Sequence, residues 1–428
     1  MNQAFRTLLV EEHSRPIITV VNVLRTGTLD DPPGKEGLAY LTAEMLMRGA
    51  GAWNQAQLAD EIEFLGSSLS VNVGRWTTTV TGDALTRHFD SFERIVRRVL
   101  EEPRFDDSEF QQLKRQTAAD IVHVRENDSM LCQRFLVKQL YGSHAYGRPR
   151  KGTQESLDSI TLDDVRAFYT KHYTRQESLT AAAGDLDQER LLRFAEKTLG
   201  HLKSSERARD AVAPVTNAMG IEAVLVDKPD RSQIPVMMGH STIHANHEDY
   251  VPLFVGNVVF GGTFTARLSQ EIREKRGWSY GAYSSIHADQ HLGSFLMRFS
   301  PSVKDTLPAI QLARTMLEDF AKNGVNETEL ESAKNYLCNS HSFVIDTSVK
   351  RLYEMIHQDL TGRPTDWLNT YIERVSRLNL AEVNAAVQRH IDPSNLTLAV
   401  VATAEEFADK LQSWDDVRAL KKVDYRSD

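Results

Sequence analysis

An arginine near the end of a predicted helix in the second half of the chain is the first candidate for chemistry. Apolar residues recur four positions apart at Phe264, Leu268 and Ile272, which predicts a helix that buries this face. Arg273 comes next, and Gly277 fits the left-handed position that ends a helix. A guanidinium held there is a fixed cation, although its role can equally be limited to complementing the helix dipole.

A tyrosine follows within a predicted strand. Trp278, Tyr280 and Ala282 alternate, which is typical of a strand with one face turned inward. A phenolic donor near Arg273 can hold a substrate carbonyl, or the oxyanion that develops on it. The alternative from residue types alone is that Tyr280 packs in the core. Arg273 and Tyr280 are the candidate catalytic residues, with both interpretations open at this point.

Two histidine pairs and a glycine pair give weaker signals. His244 and His247 fall in a predicted loop, and His287 and His291 fall in a predicted turn, so neither pair predicts a metal site. Gly261-Gly262 lacks the spacing of a phosphate-binding loop. The sequence contains no Walker loop and no Cys/His cluster, so these motifs give no support to an enzyme with an unrelated active site of its own.

Composition excludes two broad classes of protein. The 428 residues include 50 Lys and Arg against 59 Asp and Glu, a net charge of -9, with no basic block. Nucleic-acid binding needs a cationic surface, so that class is not expected. The densest apolar stretch, Pro16 to Leu24, is far shorter than the roughly 20 residues that span a bilayer, so no membrane span is expected. Residues 1–15 show no secretory signal, which predicts a cytoplasmic protein, or a periplasmic one if the N-terminus has been trimmed.

The chain repeats itself after about half its length. The pattern around Leu8 returns 216 residues later at Val224, and the pattern from Leu162 to His172 returns 218 residues later. This period is too long for a solenoid and predicts two domains of one fold. A polar stretch with no periodic apolar face separates them. We expect domains at 1–205 and 219–428, joined by a linker at 206–218.

Each half has strands and helices in a mixed order. Ile17 to Leu24 and Leu69 to Thr81 predict strands, and Asn54 is a candidate N-cap for a helix that Gly66 ends. Further helices are predicted over 106–124, 130–141, 250–260, 307–322, 327–339 and 380–389. Because strands and helices do not strictly alternate, the predicted fold class is α+β. We expect two homologous domains, each a mostly antiparallel sheet with helices packed on one face.

Residues Gly37 to Gly49 resemble the zinc-binding helix of the pitrilysin/insulinase family of metallopeptidases, the inverzincins. That family carries His-x-x-Glu-His there, with two imidazoles on one helical face to bind zinc and a glutamate to activate its water. The matching positions here are Tyr40, Ala43 and Glu44. The family's third ligand, a glutamate on a later helix, corresponds to the stretch Ala118 to Ile121, which also lacks a glutamate. The resemblance implies that this chain itself binds no metal and carries no cofactor.

Other motifs extend the resemblance over residues 7–403. The run from Glu271 to Tyr280 is a close and specific match. The remaining first-half motifs are Tyr146-Gly147-Arg148-Pro149, Gly152-Thr153, Glu155-Ser156, Val165 to Tyr169 and His172-Tyr173. Those of the second half are Gly261-Gly262, Arg267-Leu268, Glu329-Leu330 and Ala333 to Tyr336.

The resemblance implies a function shared between two chains. In hetero-pairs of this family one subunit carries His-x-x-Glu-His, and the other contributes an arginine and a tyrosine, which correspond by motif position to Arg273 and Tyr280. We therefore expect a non-zinc-binding subunit of a heterodimeric zinc metallopeptidase, inactive alone, with zinc in a homologous partner and peptides or unfolded polypeptides as substrates. The alternative is a catalytically inert structural subunit, because some family members serve as scaffolds of respiratory complexes.

Overall fold

The computed structural model describes residues 5–176, 178–204 and 212–427. The strands are β1 (Arg6–Glu11), β2 (Ile17–Leu24), β3 (Gly49–Ala50), β4 (Trp53–Asn54), β5 (Ser68–Val73), β6 (Thr78–Leu85), β7 (Leu179–Gly184), β8 (Ile221–Asp227), β9 (Val236–Thr242), β10 (Ala282–Ala288), β11 (Gly293–Phe299), β12 (Leu396–Ala402) and β13 (Val417–Asp424). The helices of the first half are α1 (Leu38–Leu46), α2 (Gln55–Phe64), α3 (Phe89–Glu101), α4 (Asp107–Val124), α5 (Asp128–Tyr141), α6 (Gln154–Ser159), α7 (Leu162–His172) and α8 (Gln188–Leu199). Those of the second half are α9 (Tyr250–Asn257), α10 (Arg267–Ser269), α11 (Val303–Asn323), α12 (Glu327–Val344), α13 (Ser348–Thr361), α14 (Trp367–Arg377), α15 (Leu380–His390) and α16 (Ala404–Gln412).

The two halves contain the same mixed sheet. The first sheet has the order β1-β7-β2-β6-β5, and the second has the matching order β8-β12-β9-β11-β10, extended by β13 beside β8. In each sheet one strand pair at the start of the order is parallel, and the pairs that follow are antiparallel. This confirms the predicted α+β fold with two repeated, mostly antiparallel sheets. The extra strand β13 runs parallel to β8 and has no counterpart in the first half.

Two helices are exchanged between the halves. Helix α5 of the first half lies on the second sheet, where Leu131 and Phe135 join a cluster with strand residues of β8 and β12. Helix α13 of the second half lies on the first sheet, where Leu352 and Ile356 pack on residues of β2 and β7. Each sheet is therefore covered by its own helices on one face and by a borrowed helix on the other. Separating the halves exposes apolar surface on both sheets, so the two form one packed unit.

Ion pairs fix both exchanged helices. At the start of α5, Asp128 accepts hydrogen bonds from Lys228 (2.5 Å) and Arg231 (3.1 Å). Near the end of α13, Asp359 pairs with Arg25 at 3.3 Å and also with Arg6. The carboxylates and Arg25 and Lys228 are largely shielded from solvent, which makes these pairs stronger than exposed ones.

The predicted linker and domain boundaries remain predictions. Residues 206–211 of the expected linker lie outside the described residues, as does residue 205 at the end of the expected first domain. Residues 212–218 contain neither helix nor strand. Val212 and Val215 nevertheless pack against a cluster that includes Tyr146, so this part of the stretch lies on the first half.

One predicted strand is a hairpin. The stretch from Leu69 to Thr81 was expected to be continuous, but it contains β5, a turn and β6. Gly74 N–H donates to the Thr77 carbonyl at 2.7 Å across the turn. The Asn54 cap is confirmed, because its side chain accepts from Gln57 N–H at the start of α2.

One helical stretch, Tyr250–Lys275, passes a length and hydropathy test for a membrane span. Its most apolar window has 61% of its surface buried inside the molecule, as core helices of folded domains do. The stretch is also interrupted between Gly262 and Arg267. It is weak support for a membrane span.

Asp31 gives a testable pH dependence of stability. Its buried carboxylate accepts hydrogen bonds from the N–H groups of Gly37 (2.8 Å) and Ala39 (2.7 Å) at the start of α1. Burial raises its pKa to about 7, against the opposing effect of those hydrogen bonds. Because this folded-state pKa is above the unfolded value of about 3.9, the contribution of Asp31 is complete below about pH 4 and is lost as the pH rises through about 7.

We expect the Asp31→Asn variant to lack this titration. The free energy of unfolding of the wild-type chain, relative to Asp31→Asn, should fall between about pH 4 and 7 and then level off. Urea unfolding of both proteins across this range measures the difference. A difference that is constant with pH would show that Asp31 is not protonated in the folded chain at low pH.

Candidate functional site

Arg273 lies on a π-helical turn that ends at a glycine. Helix α10 continues as a π-helix over Gln270–Lys275, and Ile272 is fully buried beneath it. Gly277 has a φ of +64° and donates its N–H to the Arg273 carbonyl at 2.9 Å, while Trp278 N–H reaches the Ile272 carbonyl. A side chain is strained in this left-handed conformation, which is why a glycine ends the turn. The predicted C-terminal cap is therefore confirmed.

The Arg273 guanidinium is held between two aromatic rings. Its central carbon lies 3.9 Å from the centre of the Phe264 ring and 5.5 Å from that of Tyr280. Nη1 is 3.2 Å from the Glu274 carboxylate, but the geometry is not that of a hydrogen bond, and this buried atom has no hydrogen-bond partner. An unsatisfied buried donor is costly, so an acceptor supplied from outside the chain would relieve that cost.

Tyr280 is not part of the core. Its side chain is 93% exposed, because β10 begins only at Ala282 and Tyr280 lies in the bend before it. The prediction of a strand across Trp278 and Tyr280 with an inward face was therefore wrong. Phe264 also differs from the prediction: it precedes α10 and is 51% exposed, instead of belonging to the buried helical face.

Two anchors keep this exposed segment in place. Arg267 at the start of α10 donates to both carboxylate oxygens of Glu329 at the start of α12, with 2.7 and 2.5 Å between the atoms. Ser279 donates to the Gly281 carbonyl and accepts from Ser300 N–H. A guanidinium and a phenol on a fixed surface can together hold a carbonyl oxygen that carries partial or full negative charge.

The segment Gly277 to Gly281 also reads Gly-x-Ser-x-Gly, a pattern that occurs at the nucleophile of some serine hydrolases. Such a serine is exposed on a turn from strand to helix. Here the turn runs from helix to strand, Ser279 is buried, and both of its hydrogen bonds are with backbone groups. Ser279 is therefore a structural residue.

The degenerate zinc motif lies on α1, and its side chains surround a lysine. Tyr40 and Glu44 are partly buried and Ala43 is fully buried. Lys151 Nζ lies 5.4 Å from the centre of the Tyr40 ring and 2.5 Å from Asp120 Oδ2 on α4. The stretch expected to match the third zinc ligand thus does face this position, through Asp120. Sequence reasoning missed Lys151, because nothing in its local pattern indicates that it folds back onto α1.

The charges at this position do not fit a zinc ion. Burial raises the pKa of the Tyr40 hydroxyl and of the Glu44 carboxyl, so both groups favour their neutral forms. Burial opposes the charge on Lys151, yet hydrogen bonds to Asp120 and Tyr40 raise the pKa of its ammonium. A fixed cation at this position repels a metal ion, and a phenol with a methyl group cannot replace imidazoles.

The histidines set aside above are only partly brought together. His247, Asp249 and His390 offer ligand atoms within 4.8 Å of one another. The Asp249 carboxylate already binds His390 Nε2 at 2.7 Å and Arg389 Nη1 at 2.8 Å, so its charge is balanced without a metal. His287 hydrogen-bonds to Ser285, whereas His291 stacks on a tryptophan of the first half.

Comparisons with known proteins agree with this geometry. Residues 6–154 match the family model for insulinase (peptidase family M16), and residues 159–337 match that for the peptidase M16 inactive domain. The chain is 23% identical to the non-peptidase homolog YmxG of Helicobacter pylori over 95% of this chain and 94% of that protein. It is 22% identical to the uncharacterized zinc protease YmxG of Bacillus subtilis over 88% of this chain and 91% of the relative. A crystal structure of a peptidase M16 inactive domain from Pseudomonas fluorescens shares the fold, with a TM-score of 0.86 at 23% identity over 92% of this chain and 94% of that one.

Proposed function

The chain belongs to the insulinase family of peptidases, family M16, and from this premise we propose that it is the non-zinc-binding subunit of a heterodimeric zinc metallopeptidase. In this proposal the zinc ion, its three protein ligands and the glutamate base belong to a homologous partner. This chain carries no cofactor of its own. The substrates are peptides or unfolded polypeptides that enter a chamber between the two subunits.

The observation that carries the proposal is the state of Arg273 and Tyr280. The phenol is almost fully exposed, and the guanidinium beside it has a buried N–H donor without an acceptor. Phe264 adds a second half-exposed ring to the same surface. Exposed apolar rings around a poorly satisfied cation support a surface that another molecule covers.

The proposed role of the pair is to bind the scissile carbonyl oxygen. Arg273 supplies a permanent positive charge, and Tyr280 supplies an O–H donor. Both interactions strengthen as negative charge develops on that oxygen, so they lower the barrier more than they stabilise the bound substrate. The Phe264 ring limits the rotamers of Arg273, which keeps the guanidinium oriented before the substrate arrives.

A structural subunit is the second candidate function. It is favoured by the lost zinc motif and by the name of the Helicobacter pylori relative, which describes it as a non-peptidase homolog. Purification of the native protein with its bound partners distinguishes the two: a partner with His-x-x-Glu-His supports the peptidase, and respiratory subunits support the scaffold.

We expect a 1:1 complex with the zinc-binding partner. Size-exclusion chromatography with light scattering should give the summed mass of the two chains, with a monomer or homodimer of this chain when alone. Replacing the exposed rings with Phe264→Ser and Tyr280→Ser should weaken the complex if they lie in the contact, whereas Phe64→Ser, a change at an exposed ring on α2, serves as the control. Detection of only free chains at micromolar concentrations of both would contradict the proposed assembly.

A further inference from the structure

The cleft that holds Tyr40 and Lys151 in the first half has a counterpart in the second half. Helices α4 and α12 each have 18 residues and are 220 residues apart, and α1 contacts α4 as α9 contacts α12. The tripeptide Gly147-Arg148-Pro149 recurs as Gly362-Arg363-Pro364 on the same side of the cleft. The two clefts are therefore related by the internal repeat.

The two clefts differ in what fills them. In the first half, Lys151 extends between Tyr40 and Asp120 and closes the space. In the second half a cavity of about 220 Å³ remains open between α9, α12 and α14. It is lined mainly by aromatic and aliphatic side chains: Tyr250, Phe254, Leu337, Val344, Trp367, Leu368 and Tyr371.

Ring stacking makes this cavity rigid. Tyr250 stacks on Phe254, with ring centres 6.1 Å apart, and His341 stacks on Tyr371 at 4.7 Å. Arg363 lies 4.8 Å from the Tyr250 ring centre and 4.4 Å from that of Trp367. Its Nε also donates to the Ala245 carbonyl at 3.3 Å, which fixes the guanidinium at the wall.

The edge of the cavity is both apolar and polar. The exposed large apolar residues around it on α12, α13 and α14 are Tyr336, Phe343, Val344, Tyr353 and Ile372. Arg363, Glu354 and Ser340 add a donor, an acceptor and a hydroxyl to the lining. An apolar cavity with a few polar groups at its edge is the usual form of a site for one side chain and the main chain beside it.

We propose that this cavity binds a large apolar or aromatic side chain of an extended peptide. The apolar walls fit the side chain, Arg363 can donate to a main-chain carbonyl, and Glu354 can accept from a main-chain N–H. A concave space of this size takes one side chain, whereas a folded partner needs a wider complementary surface. The proposal rests on the proposed function in that peptides are the molecules this chain meets.

The binding test uses the isolated full-length chain, so it requires neither zinc nor hydrolysis. The probes are blocked pentapeptides, acetyl-Gly-Gly-X-Gly-Gly-amide, with X as Phe, Leu, Ala or Asp, titrated by calorimetry. We expect the affinity for X as Phe or Leu to exceed that for Ala and Asp by at least about tenfold, the effect typical of an apolar pocket. Equal affinities, or no heat at millimolar peptide, would overturn the proposal.

Matched variants locate the binding. Ser340→Phe fills the cavity and should remove the preference for X as Phe, while Ser332→Phe, on an exposed part of the same helix, should leave it unchanged. If Ser340→Phe does not fold, a peptide with benzoylphenylalanine at X is cross-linked to the wild-type chain instead. Cross-links on α9, α12 or α14 support the site, and cross-links elsewhere contradict it.

This outcome is separable from that of the proposed function. Peptide binding here with an inactive complex would refute only the peptidase role. If the cavity binds no peptide but is protected from hydrogen exchange by the partner subunit, it is a subunit contact and the present proposal is wrong.

Discussion

Tyr280→Phe should lower kcat of the reconstituted complex by about 10²–10³, the effect of losing one donor to a developing oxyanion. The change removes one hydroxyl from an exposed side chain and leaves the ring beside Arg273, so folding and assembly should be unaffected. Arg273→Ala removes both the charge and the apolar stem, so we expect a similar loss in kcat together with a higher KM. Steady-state kinetics on complexes of verified zinc content and stoichiometry measure both effects.

Arg276→Ala is the control for the loss of positive charge. Arg276 lies three residues further along the same segment, but its guanidinium pairs with Glu271 and faces the Trp278 ring. We expect this variant to keep most of the activity. If Tyr280→Phe and Arg273→Ala both retain near-normal kcat/KM in an intact complex, the chain is a scaffold and the catalytic proposal is wrong.

Rebuilding the zinc motif should fail while Lys151 is present. The triple change Tyr40→His, Ala43→Glu and Glu44→His restores the side chains of His-x-x-Glu-His. The Lys151 ammonium, 2.5 Å from Asp120, still occupies the position of a cation and repels a metal ion. We therefore expect almost no zinc in the triple variant and about one zinc per chain once Lys151→Met is added.

Elemental analysis of the purified variants tests this expectation. Lys114→Met, added to the triple variant, is the matched control, because Lys114 lies on α4 but binds the Ile160 carbonyl at 2.9 Å. That control should bind no more zinc than the triple variant. Stoichiometric zinc in the wild-type chain, or in the triple variant with Lys151 in place, would contradict the assignment of Lys151.

The repeated sheets were predictable because they rest on local patterns. Alternating and β-branched residues predicted β2, and the repeat predicted that β9 and β12 would recreate its surroundings. The cap at Asn54 and the glycine stop at Gly277 were also correct, because each depends on one residue's conformational preference. The family resemblance was confirmed for the same reason: its motifs are contiguous runs.

Features that depend on contacts far apart in the sequence were not predictable. The exchange of α5 and α13 joins surfaces more than a hundred residues apart, as in the contact of Cys132 with the Ala399 carbonyl. Lys151 reaches Tyr40 only because the fold returns the chain to α1. Tyr280 alternates like a strand residue, but the turn ended by Gly277 delays the strand and leaves the ring exposed.

The most direct test of the central claim is peptide hydrolysis by the separate and the mixed subunits. A quenched fluorescent peptide is incubated with this chain, with its His-x-x-Glu-His partner, and with an equimolar mixture, and the zinc content of each is measured. The account predicts no hydrolysis and no zinc for this chain alone, zinc but little activity for the partner, and full activity in the mixture. Hydrolysis by this chain alone, or a partner as active alone as in the mixture, would contradict it.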